Sequence, residues 1–446
     1  MIHSSTPGKP RTRLSLEARS AMILDHAAKL IAKEGVSAVS METVSNEAGI
    51  SKVLAYKYYA SVTILLRALL TREYGYLRNL LWVAAKEAET LEQLVRQTTK
   101  VYLAYIEEHG LLIERLEAEP AVINYGDLPE RGHAETIMYL AQILHDNFDI
   151  GTDLALPIAE ISHGLLTAAS HYIIHNETKR QTVEDITVTM MLASLESIQK
   201  KSQGSPRLLV EREPKKRNQQ DFLASRTDAP KKIRTRLSPK ARKAMILDHA
   251  AKLVANDGVS AVSIERVSLE AGISKALAYN HYSSVTSLLQ ALLVREYRHL
   301  RRLQLDTVES TETLEQMVQQ STRVYLSYIK EHGLLIERLE AEPAIANYGD
   351  PSEYGNFATV MYLAQILKDN FGIEIETALV ITEISYGLPA AGGRYLIHNE
   401  ANLQTIEDIV AKMVLASLES TQRKCQFSMR RLHKYERPKG DRIKQS

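Results

Sequence analysis

The sequence contains a single cysteine, Cys425, so no disulfide can form within the chain and no cysteine-rich zinc site exists. It has no apolar run near the roughly 20 residues that a membrane span needs, and its first residues, MIHSSTPGKPRTR, lack the apolar stretch of a signal peptide. We therefore expect a cytoplasmic protein without a membrane partner. A nucleophile elbow, a phosphate-binding loop, an HExxH motif and a dinucleotide fingerprint are all missing, so we expect neither an enzyme nor a cofactor.

The chain has no large excess of either charge, since 55 basic and 54 acidic residues give a net charge of only +1, but this balance hides an uneven distribution. Residues 1–13, 207–236 and 424–446 together carry a net charge of about +15, so the remainder of the chain must be acidic. Basic segments attached to acidic bodies suit a polyanionic partner that is contacted at particular places. The competing interpretation is that these segments only keep the chain soluble.

The chain contains a long internal repeat. One copy begins at Leu14 with LSLEARSAMILDHAAKLIAKEGVSAVS, and the other begins at Leu237 with LSPKARKAMILDHAAKLVANDGVSAVS. The two copies align without a gap and are about two-thirds identical, which indicates two tandem domains. They are called the first repeat (14–200) and the second repeat (237–423).

Each repeat is predicted to be helical throughout, because strand-like alternation is missing. The first helix should begin at Ser15, or at Ser238-Pro239, and end at Gly35 or Gly258. A second helix is expected after Ser40 and a third from Ser51. Further helices of the first repeat are predicted at about 61–87, 91–108, 111–119, 133–148, 153–176 and 182–200.

Two details of the later helices are also predicted. Glu108-His109 and Glu331-His332 precede a glycine, which indicates helix C-termini. Pro389 in the second repeat replaces Leu166 of the first, and an internal proline should kink its helix and make the two bodies inequivalent.

One motif occurs once in each repeat. Residues 40–59 read SMETVSNEAGISKVLAYKYY, and residues 263–282 read SIERVSLEAGISKALAYNHY. Gly49 suits a left-handed turn position, and Ile50 should pack from the turn onto Val44 and Leu30. Ser51 should cap the following helix. This helix-turn-helix pattern presents the first turns of its second helix to a DNA major groove.

These residues resemble the TetR family of regulators over about 14–70 and 237–293. The family pattern pairs two aromatic residues ahead of a serine, and Tyr56, Tyr59 and Ser61 stand there, as do Tyr279, Tyr282 and Ser284. The sequence departs from the family in having Val53-Leu54-Ala55 where Gly-Thr-Leu is frequent. It also has Val62 and Val285 where a phosphate-binding lysine is common. The resemblance implies an all-α fold, sequence-specific binding to a double-stranded DNA operator, two-fold dimerisation and a small-molecule effector pocket.

The resemblance and the repeat together predict seven segments. They are a basic arm (1–13), headpiece 1 (14–60), a regulatory helical domain (61–200), a linker with a second basic arm (201–236), headpiece 2 (237–283), a second regulatory helical domain (284–423) and a basic tail (424–446). The linker composition is polar and lacks a helical period.

The predicted DNA contacts fall on the arms and on both helices of each motif. The arms should reach phosphates or the minor groove, the helix heads should reach bases or phosphates, and Leu54 and Leu277 should pack in the core. The contacts are Arg11, Arg13, Thr43, Ser51, Lys52, Val53, Tyr56, Lys57 and Tyr58, and then Arg234, Arg236, Arg266, Ser274, Lys275, Ala276, Tyr279, Asn280 and His281.

An apolar effector pocket lined by tyrosines is the corresponding hypothesis for the helical bodies. The candidates are Tyr102, Tyr105, Tyr125, Tyr139 and Tyr172 in the first repeat, and Tyr325, Tyr328, Tyr348 and Tyr362 in the second; the competing interpretation is that they are core or interface residues. His171 and His175 share a metal-like spacing. Because Arg394 breaks this pair in the second repeat, no metal site is expected.

We expect a repressor that a small apolar ligand releases, with both headpieces reading an imperfect palindrome as an intramolecular pseudo-dimer; further homodimerisation stays open. One alternative is an architectural DNA-binding protein without an effector. Another is a ligand-binding helical protein that has lost DNA binding. The latter would carry a neutral or acidic recognition helix, against which Lys52 and Lys275 argue.

Overall fold

The computed structural model describes residues 15–119, 122, 128–148, 150–202, 238–346 and 357–424. Secondary structure in these ranges is helical, as the sequence predicts. The first repeat contains α1 (Leu16–Glu34), α2 (Met41–Glu47), α3 (Lys52–Tyr58), α4 (Val62–Lys86), α5 (Leu91–Glu117), α6 (Leu128–Phe148), α7 (Thr152–His175) and α8 (Arg180–Ser202).

The second repeat follows the same order. It contains α9 (Pro239–Asp257), α10 (Ile264–Glu270), α11 (Lys275–Tyr279), α12 (Val285–Glu309), α13 (Leu314–Glu340), α14 (Phe357–Phe371), α15 (Ile375–His398) and α16 (Leu403–Lys424). A 3₁₀ turn follows the first helix of each repeat, at Val36–Ala38 and Val259–Ala261, and a single helical turn lies at Pro343–Ala346.

The predicted helix caps of the headpieces are confirmed. The Ser15 side-chain oxygen accepts a hydrogen bond from the Ala18 amide at 3.1 Å, which satisfies one of the free donors of the first turn. Gly35 ends α1 at φ 87°, a backbone conformation that favours glycine. Ser238 and Gly258 fill the same positions around α9, with φ 85° at the glycine.

Each headpiece core is built from the inward faces of its first four helices. Ile23, Ala27 and Ile31 of α1 are fully buried, together with Val44 of α2 and Ala55 of α3. Leu65 and Leu69 of α4 complete this core, and Ile50 packs against it from the turn, as predicted. Small residues at the crossing, such as Ala55, let the short helices approach closely.

The predicted helix break before Gly110 is wrong. The first repeat has one continuous helix, α5, where the sequence predicted two, so Glu108-His109 and Glu331-His332 lie inside α5 and α13 and not at C-termini. The physical reason is packing, since an added Cβ at Gly110 would lie 2.7 Å from Ile174 Cδ1 of α7. Gly333 of α13 faces Ile397 in the same way, at 2.5 Å.

Pro389 does not interrupt α15, which continues to His398. Helix α7 also carries an internal proline, Pro157, at a different position, and this was not predicted. The glycines after Pro389 serve close packing: an added Cβ would lie 2.7 Å from Val410 Cγ2 at Gly392 and 2.9 Å from Ile329 Cγ2 at Gly393.

The chain divides into two compact units whose boundary does not follow the repeats. The first unit comprises residues 1–142 and 165–192, and the second comprises 143–164 and 193–446. No single helix among the described residues is long and apolar enough to cross a membrane; the bent pair of α3 and α4 passes that test of length and composition only when taken together.

Two helical glycines provide a matched test of this packing. Gly110→Ala should lower the free energy of unfolding by about 1–3 kcal/mol, because the new methyl group overpacks against Ile174. Gly75→Ala in α4 should instead raise it by about 0.5–1 kcal/mol, because an added Cβ there meets nothing within 4 Å. The urea midpoint of each variant is the measurement. Equal midpoint shifts in the two variants would contradict the close approach of α5 and α7.

Candidate nucleic-acid interface

The turn between α2 and α3 is tight and is repeated between α10 and α11. Gly49 adopts φ 63°, and the Ile50 amide donates to the Ser45 carbonyl at 3.0 Å. In the second repeat Gly272 adopts φ 65°, and Ile273 donates to Ser268 at the same distance. The glycine accepts a backbone conformation that other residues rarely adopt, and the isoleucine anchors the turn.

A serine then starts each recognition helix, here α3 and α11. The Ser51 side-chain oxygen accepts from the Leu54 amide at 3.2 Å, and Ser274 accepts from Leu277 at the same distance. Both serines were predicted DNA contacts, and in the structure their hydroxyl oxygens act as helix caps.

The two faces of α3 differ sharply in exposure. Ala55 is fully buried and Tyr59, the residue after the helix, is 6% exposed, which fixes the inward face. Val53 is 71% exposed and Tyr56 is 47% exposed, so these apolar and aromatic groups face outward without a covering residue. Lys52 and Lys57 are exposed as well. A surface with lysines around an exposed valine and a tyrosine hydroxyl suits phosphates and base edges.

The second recognition helix has the same orientation but is shorter. Ala278 is 1% exposed and Tyr279 is 42% exposed, and Ala276 and Asn280 are exposed too. Asn280 is the C-terminal cap of α11, whereas its counterpart Lys57 lies within α3. The sequence did not predict this difference in length.

Each recognition helix is tied by an ion pair to the helix before it. Lys52 Nζ lies 3.1 Å from Glu42 Oε2, and Lys275 is paired with Glu265 in the same way. The Glu265 carboxylate raises the pKa of Lys275 by accepting its hydrogen bond, and the lysine in turn lowers the pKa of Glu265. Both pairs are exposed and therefore contribute little to stability. Each glutamate partly neutralises its lysine, so an approaching anion would have to compete with that carboxylate.

Two further predicted contacts are engaged within the protein. The Thr43 hydroxyl donates to the Ala38 or Ser40 carbonyl and accepts from the Ser40 amide, forming a capping box. Arg266 lies 2.5 Å from Asp257 and 3.5 Å from Glu270. Both side chains are nevertheless on the surface.

The remaining predicted contacts divide into half-buried residues and residues outside the described ranges. Tyr58 is half-buried and packs against the headpiece core. His281 is half-buried, and its Nε2 has no hydrogen-bond partner among the described residues. Burial lowers the pKa of His281, and the nearby Arg242 and Lys243 lower it further. Arg11, Arg13, Arg234 and Arg236 lie outside the described residues, as do the predicted pocket residues Tyr125 and Tyr348.

Comparison with known families identifies the two headpieces. Residues 23–69 and 246–292 each match the family described as "Bacterial regulatory proteins, tetR family". The chain therefore carries two headpieces of the TetR family, one in each repeat. It is therefore a transcriptional regulator with two DNA-binding headpieces, as the sequence predicts.

Comparison with solved structures gives two further similarities. A TetR-like transcriptional regulator from Rhodococcus sp. RHA1 is 21% identical, covering 41% of this chain and 99% of its own, with a TM-score of 0.35. A putative transcriptional regulator from Pseudomonas aeruginosa PAO1 is 17% identical, covering 42% of this chain and 94% of its own, with a TM-score of 0.37. No match was found among curated proteins.

The second regulatory helical domain (284–423), called the second body, contains an apolar cavity of about 80 Å³. Tyr325 lines it, opposite Tyr386, and their rings meet edge to face at 5.6 Å. Gln304 Nε2 approaches the Tyr386 hydroxyl at 3.5 Å and supplies a second polar group. The sequence did not predict Tyr386 or Gln304, whose counterparts in the first repeat are His163 and Leu81.

The other described tyrosines of the predicted pocket are placed differently. Tyr105 and Tyr328 donate hydrogen bonds to buried glutamates. Tyr139 is 38% exposed, and its ring centroid lies 5.5 Å from that of Trp82. Tyr172 is buried next to Thr178. Tyr102 is half-buried and Tyr362 is buried, and neither lines this cavity. Of the seven described candidates, Tyr325 is the one that lines the cavity.

A buried carboxylate ties α4 to α5, and the arginine beside it extends the contact to α1 of headpiece 1; this group is called the Glu73 cluster. Glu73 of α4 is 2% exposed; it accepts from Tyr105 Oη of α5 at 2.7 Å, and His109 Nδ1 lies 3.2 Å away. Arg72 pairs with Glu73 at 3.0 Å and with Asp25 of α1 at 2.6 Å. Burial and the carboxylate raise the pKa of Tyr105, which keeps its hydroxyl a donor.

The second repeat repeats this arrangement as the Glu296 cluster. Tyr328 donates to Glu296 at 2.7 Å, and His332 Nδ1 lies 3.0 Å from the same carboxylate. Arg295 pairs with Glu296 at 2.9 Å and with Asp248 of α9 at 2.6 Å.

The lysine–glutamate pairs generate a testable prediction. Glu42→Gln combined with Glu265→Gln should tighten DNA binding about two- to fivefold at low salt, because it frees Lys52 and Lys275 and removes two anions near the phosphates. Fluorescence polarisation with labelled operator measures this effect. Glu92→Gln, which removes a carboxylate of the body paired with Arg96, is the control for net charge. Unchanged or weaker binding in the double variant would contradict a role for these lysines.

Proposed function

We propose that this TetR-family regulator is a repressor that a small apolar ligand releases, and that its two headpieces read one imperfect palindrome as an intramolecular pseudo-dimer. The headpieces (14–60 and 237–283) would read DNA, and the helical bodies (61–200 and 284–423) would sense the ligand. The observation that carries the proposal is the presence, in one chain, of two serine-capped recognition helices with exposed outward faces.

The outward faces are not identical, which supports an asymmetric operator. Exposed Val53 corresponds to exposed Ala276, so a larger and a smaller apolar group would meet the groove floor. Lys57, a cation within α3, corresponds to Asn280 at the end of α11. Two headpieces that differ at these points have no requirement for identical half-sites. Half-sites about one helical turn apart, ~34–36 Å, are expected for a pair of such headpieces.

The composition of the second unit supports an intramolecular pairing. This unit includes residues 143–164 of the first repeat together with most of the second repeat. Within it, Gly164 lies against the backbone of Gly387, and an added Cβ would lie 2.7 Å from Ala391 Cβ. Small residues at a helix crossing allow such close approach. A core that draws on both repeats is what a fused pair of domains requires.

The DNA contacts proposed for each headpiece follow from exposure. Tyr56 and Tyr279 are expected to donate to phosphate, and Lys52 and Lys275 to reach a phosphate or base edge once their glutamate pairs open. The arginines of the two basic arms are expected to reach phosphates or the minor groove.

The effector site that we propose is the cavity of the second body. Its lining is mostly apolar, with hydroxyls from Tyr325 and Tyr386 and an amide from Gln304 to orient a ligand. At about 80 Å³ it suits a small apolar molecule, unless the helices separate on binding. The first repeat has Leu81 and His163 in place of Gln304 and Tyr386. The two bodies are therefore not expected to bind the same ligand.

Selection of bound DNA from a random pool tests the pseudo-dimer. The full chain should select two non-identical half-sites about one helical turn apart, and native mass spectrometry should show one chain per operator. Lys57→Asn should change base preference in one half-site, and Asn280→Lys should change it in the other. Two identical half-sites, or two chains on each selected duplex, would reject the pseudo-dimer.

A matched pair of cavity variants tests the effector site. Val318→Phe should fill the cavity and abolish the release of DNA by a panel of small apolar compounds, while DNA binding itself persists. Val95→Phe, the equivalent buried position of the first repeat, controls for the roughly 1–3 kcal/mol cost of overpacking. Fluorescence polarisation of a labelled operator reports release. If Val318→Phe responds to the compounds as strongly as the unmodified chain, the effector does not bind in this cavity.

A further inference from the structure

Three potential metal ligands meet on the first body, away from the recognition helix. Glu114 lies on α5, and His171 and His175 lie one turn apart on α7. One ligand atom from each residue lies within 4.8 Å of the other two. His175 Nε2 is 3.0 Å from Glu114 Oε1, and the two imidazole rings are 4.5 Å apart at their centroids.

The donor set has the chemistry of a zinc site. Two imidazoles and one carboxylate are a recognised ligand set for Zn²⁺, which binds nitrogen and oxygen at about 2.0–2.2 Å and leaves a fourth position to water. Ligand atoms around such an ion lie about 3.5 Å apart, so the widest of the three separations, which is within 4.8 Å, needs to close by roughly 1 Å. His171 and His175 are exposed and Glu114 is half-buried, so small rotamer changes bring them together.

The backbone beneath the three ligands is held in place by packing. Gly110, one turn before Glu114, contacts Ile174, the neighbour of His175, so closely that an added Cβ would lie 2.7 Å from Ile174 Cδ1. The distance between the α5 and α7 backbones is therefore set by the core and not by the ligands. A metal site on such a frame needs little reorganisation to form.

The second repeat provides an internal comparison. His398 Nε2 lies 3.0 Å from Glu337 Oε1, which reproduces the contact between His175 and Glu114. Glu114 and Glu337 each also have a buried Oε2 with no hydrogen-bond partner among the described residues. The difference is Arg394, an exposed cation in place of His171. The second body therefore offers two ligands and a repelling charge, whereas the first offers three ligands.

We propose that the first body binds one divalent transition-metal ion of the Zn²⁺ class through Glu114, His171 and His175, and that the second body does not. The sequence brought the two histidines to notice by their spacing, but Glu114 lies 57 residues earlier than His171 and only the fold places it beside them. None of these three residues lines the cavity of the second body or lies on a recognition helix.

The test uses the full-length chain without an affinity tag, with Cys425→Ser in every variant so that no thiolate competes. Isothermal titration with Zn²⁺ after chelator treatment should show one tight equivalent per chain. The absorbance of bound Co²⁺ should report nitrogen and oxygen ligands. His171→Arg, which copies the second repeat, should weaken binding by at least about 100-fold, since even the loss of an outer-shell partner costs 10- to 100-fold.

The reciprocal variant makes the assignment falsifiable in the other direction. Arg394→His should create the missing ligand and raise the stoichiometry from one equivalent to two. Both substituted positions are exposed, and circular dichroism serves to check that each variant folds. If the histidine and glutamate form an ion pair alone, the unmodified chain shows no stoichiometric binding and the proposal is overturned. Zn²⁺ binding that His171→Arg leaves unchanged, or a ratio that stays at one in Arg394→His, overturns it as well.

Discussion

A buried glutamate in each repeat ties its fourth helix to its fifth, and the arginine beside it extends the contact to the first helix of the headpiece. Glu73 is almost completely buried, so its charge must be matched by partners from the surrounding helices. Arg72 supplies the opposite charge from α4 and reaches on to Asp25 of α1, while Tyr105 of α5 donates a hydrogen bond and His109 Nδ1 of α5 lies 3.2 Å away. Removing one partner of a buried ion pair typically costs about 3–5 kcal/mol. The buried carboxylate and its arginine partner together therefore tie α1, α4 and α5.

A second contact fixes the same joint from another side. Arg115 of α5 donates to the carbonyls of Ile31 and Ala32 at 2.5 and 3.0 Å, at the C-terminal end of α1, where a cation is also favoured by the helix dipole. Arg338 of α13 makes the same pair of contacts in the second repeat, both at 2.7 Å. One contact would leave a headpiece free to pivot on its body. Two contacts from one helix make the headpiece follow the tilt of that helix.

The sequence predicted the elements that local physical chemistry determines. Ser51 caps α3 because its short side chain places a hydroxyl oxygen next to the free amides of the first turn. Gly49 forms the turn because it has no Cβ and so accepts a positive φ. The exposed face of α3 followed from the same pattern. The break predicted before Gly110 was wrong because a glycine serves equally to end a helix and to admit a neighbour, and only the position of Ile174 decides between these uses. The apolar residues that continue in step after Gly110 were the signal that favoured an unbroken helix.

Contacts between residues that are far apart in the sequence could not be predicted from it. Glu42 pairs with Lys52 across the turn, and this contact occupies a side chain that the motif alone presents as free for DNA. Glu114 joins His171 and His175 from another helix. Pairing and ligation depend on distances between helices, and the periodicity of one helix carries no information about them.

The two repeats share the residues that connect headpiece and body and differ at exposed positions elsewhere. Residues that build this joint are present twice, whereas some exposed residues elsewhere differ: Lys57 and Asn280 on the recognition helices, and His171 and Arg394 on the bodies. A protein that dimerises through two identical chains must change both halves of its operator and both sensors together. Fusion removes that constraint, because each half keeps the same joint while its outward chemistry changes alone. On the proposed function, α13 lines the effector cavity with Tyr325 and contacts headpiece 2 with Arg338, so a ligand that shifts this helix would shift headpiece 2 as well. A change in one body is then sufficient to spoil the spacing that the operator requires of both.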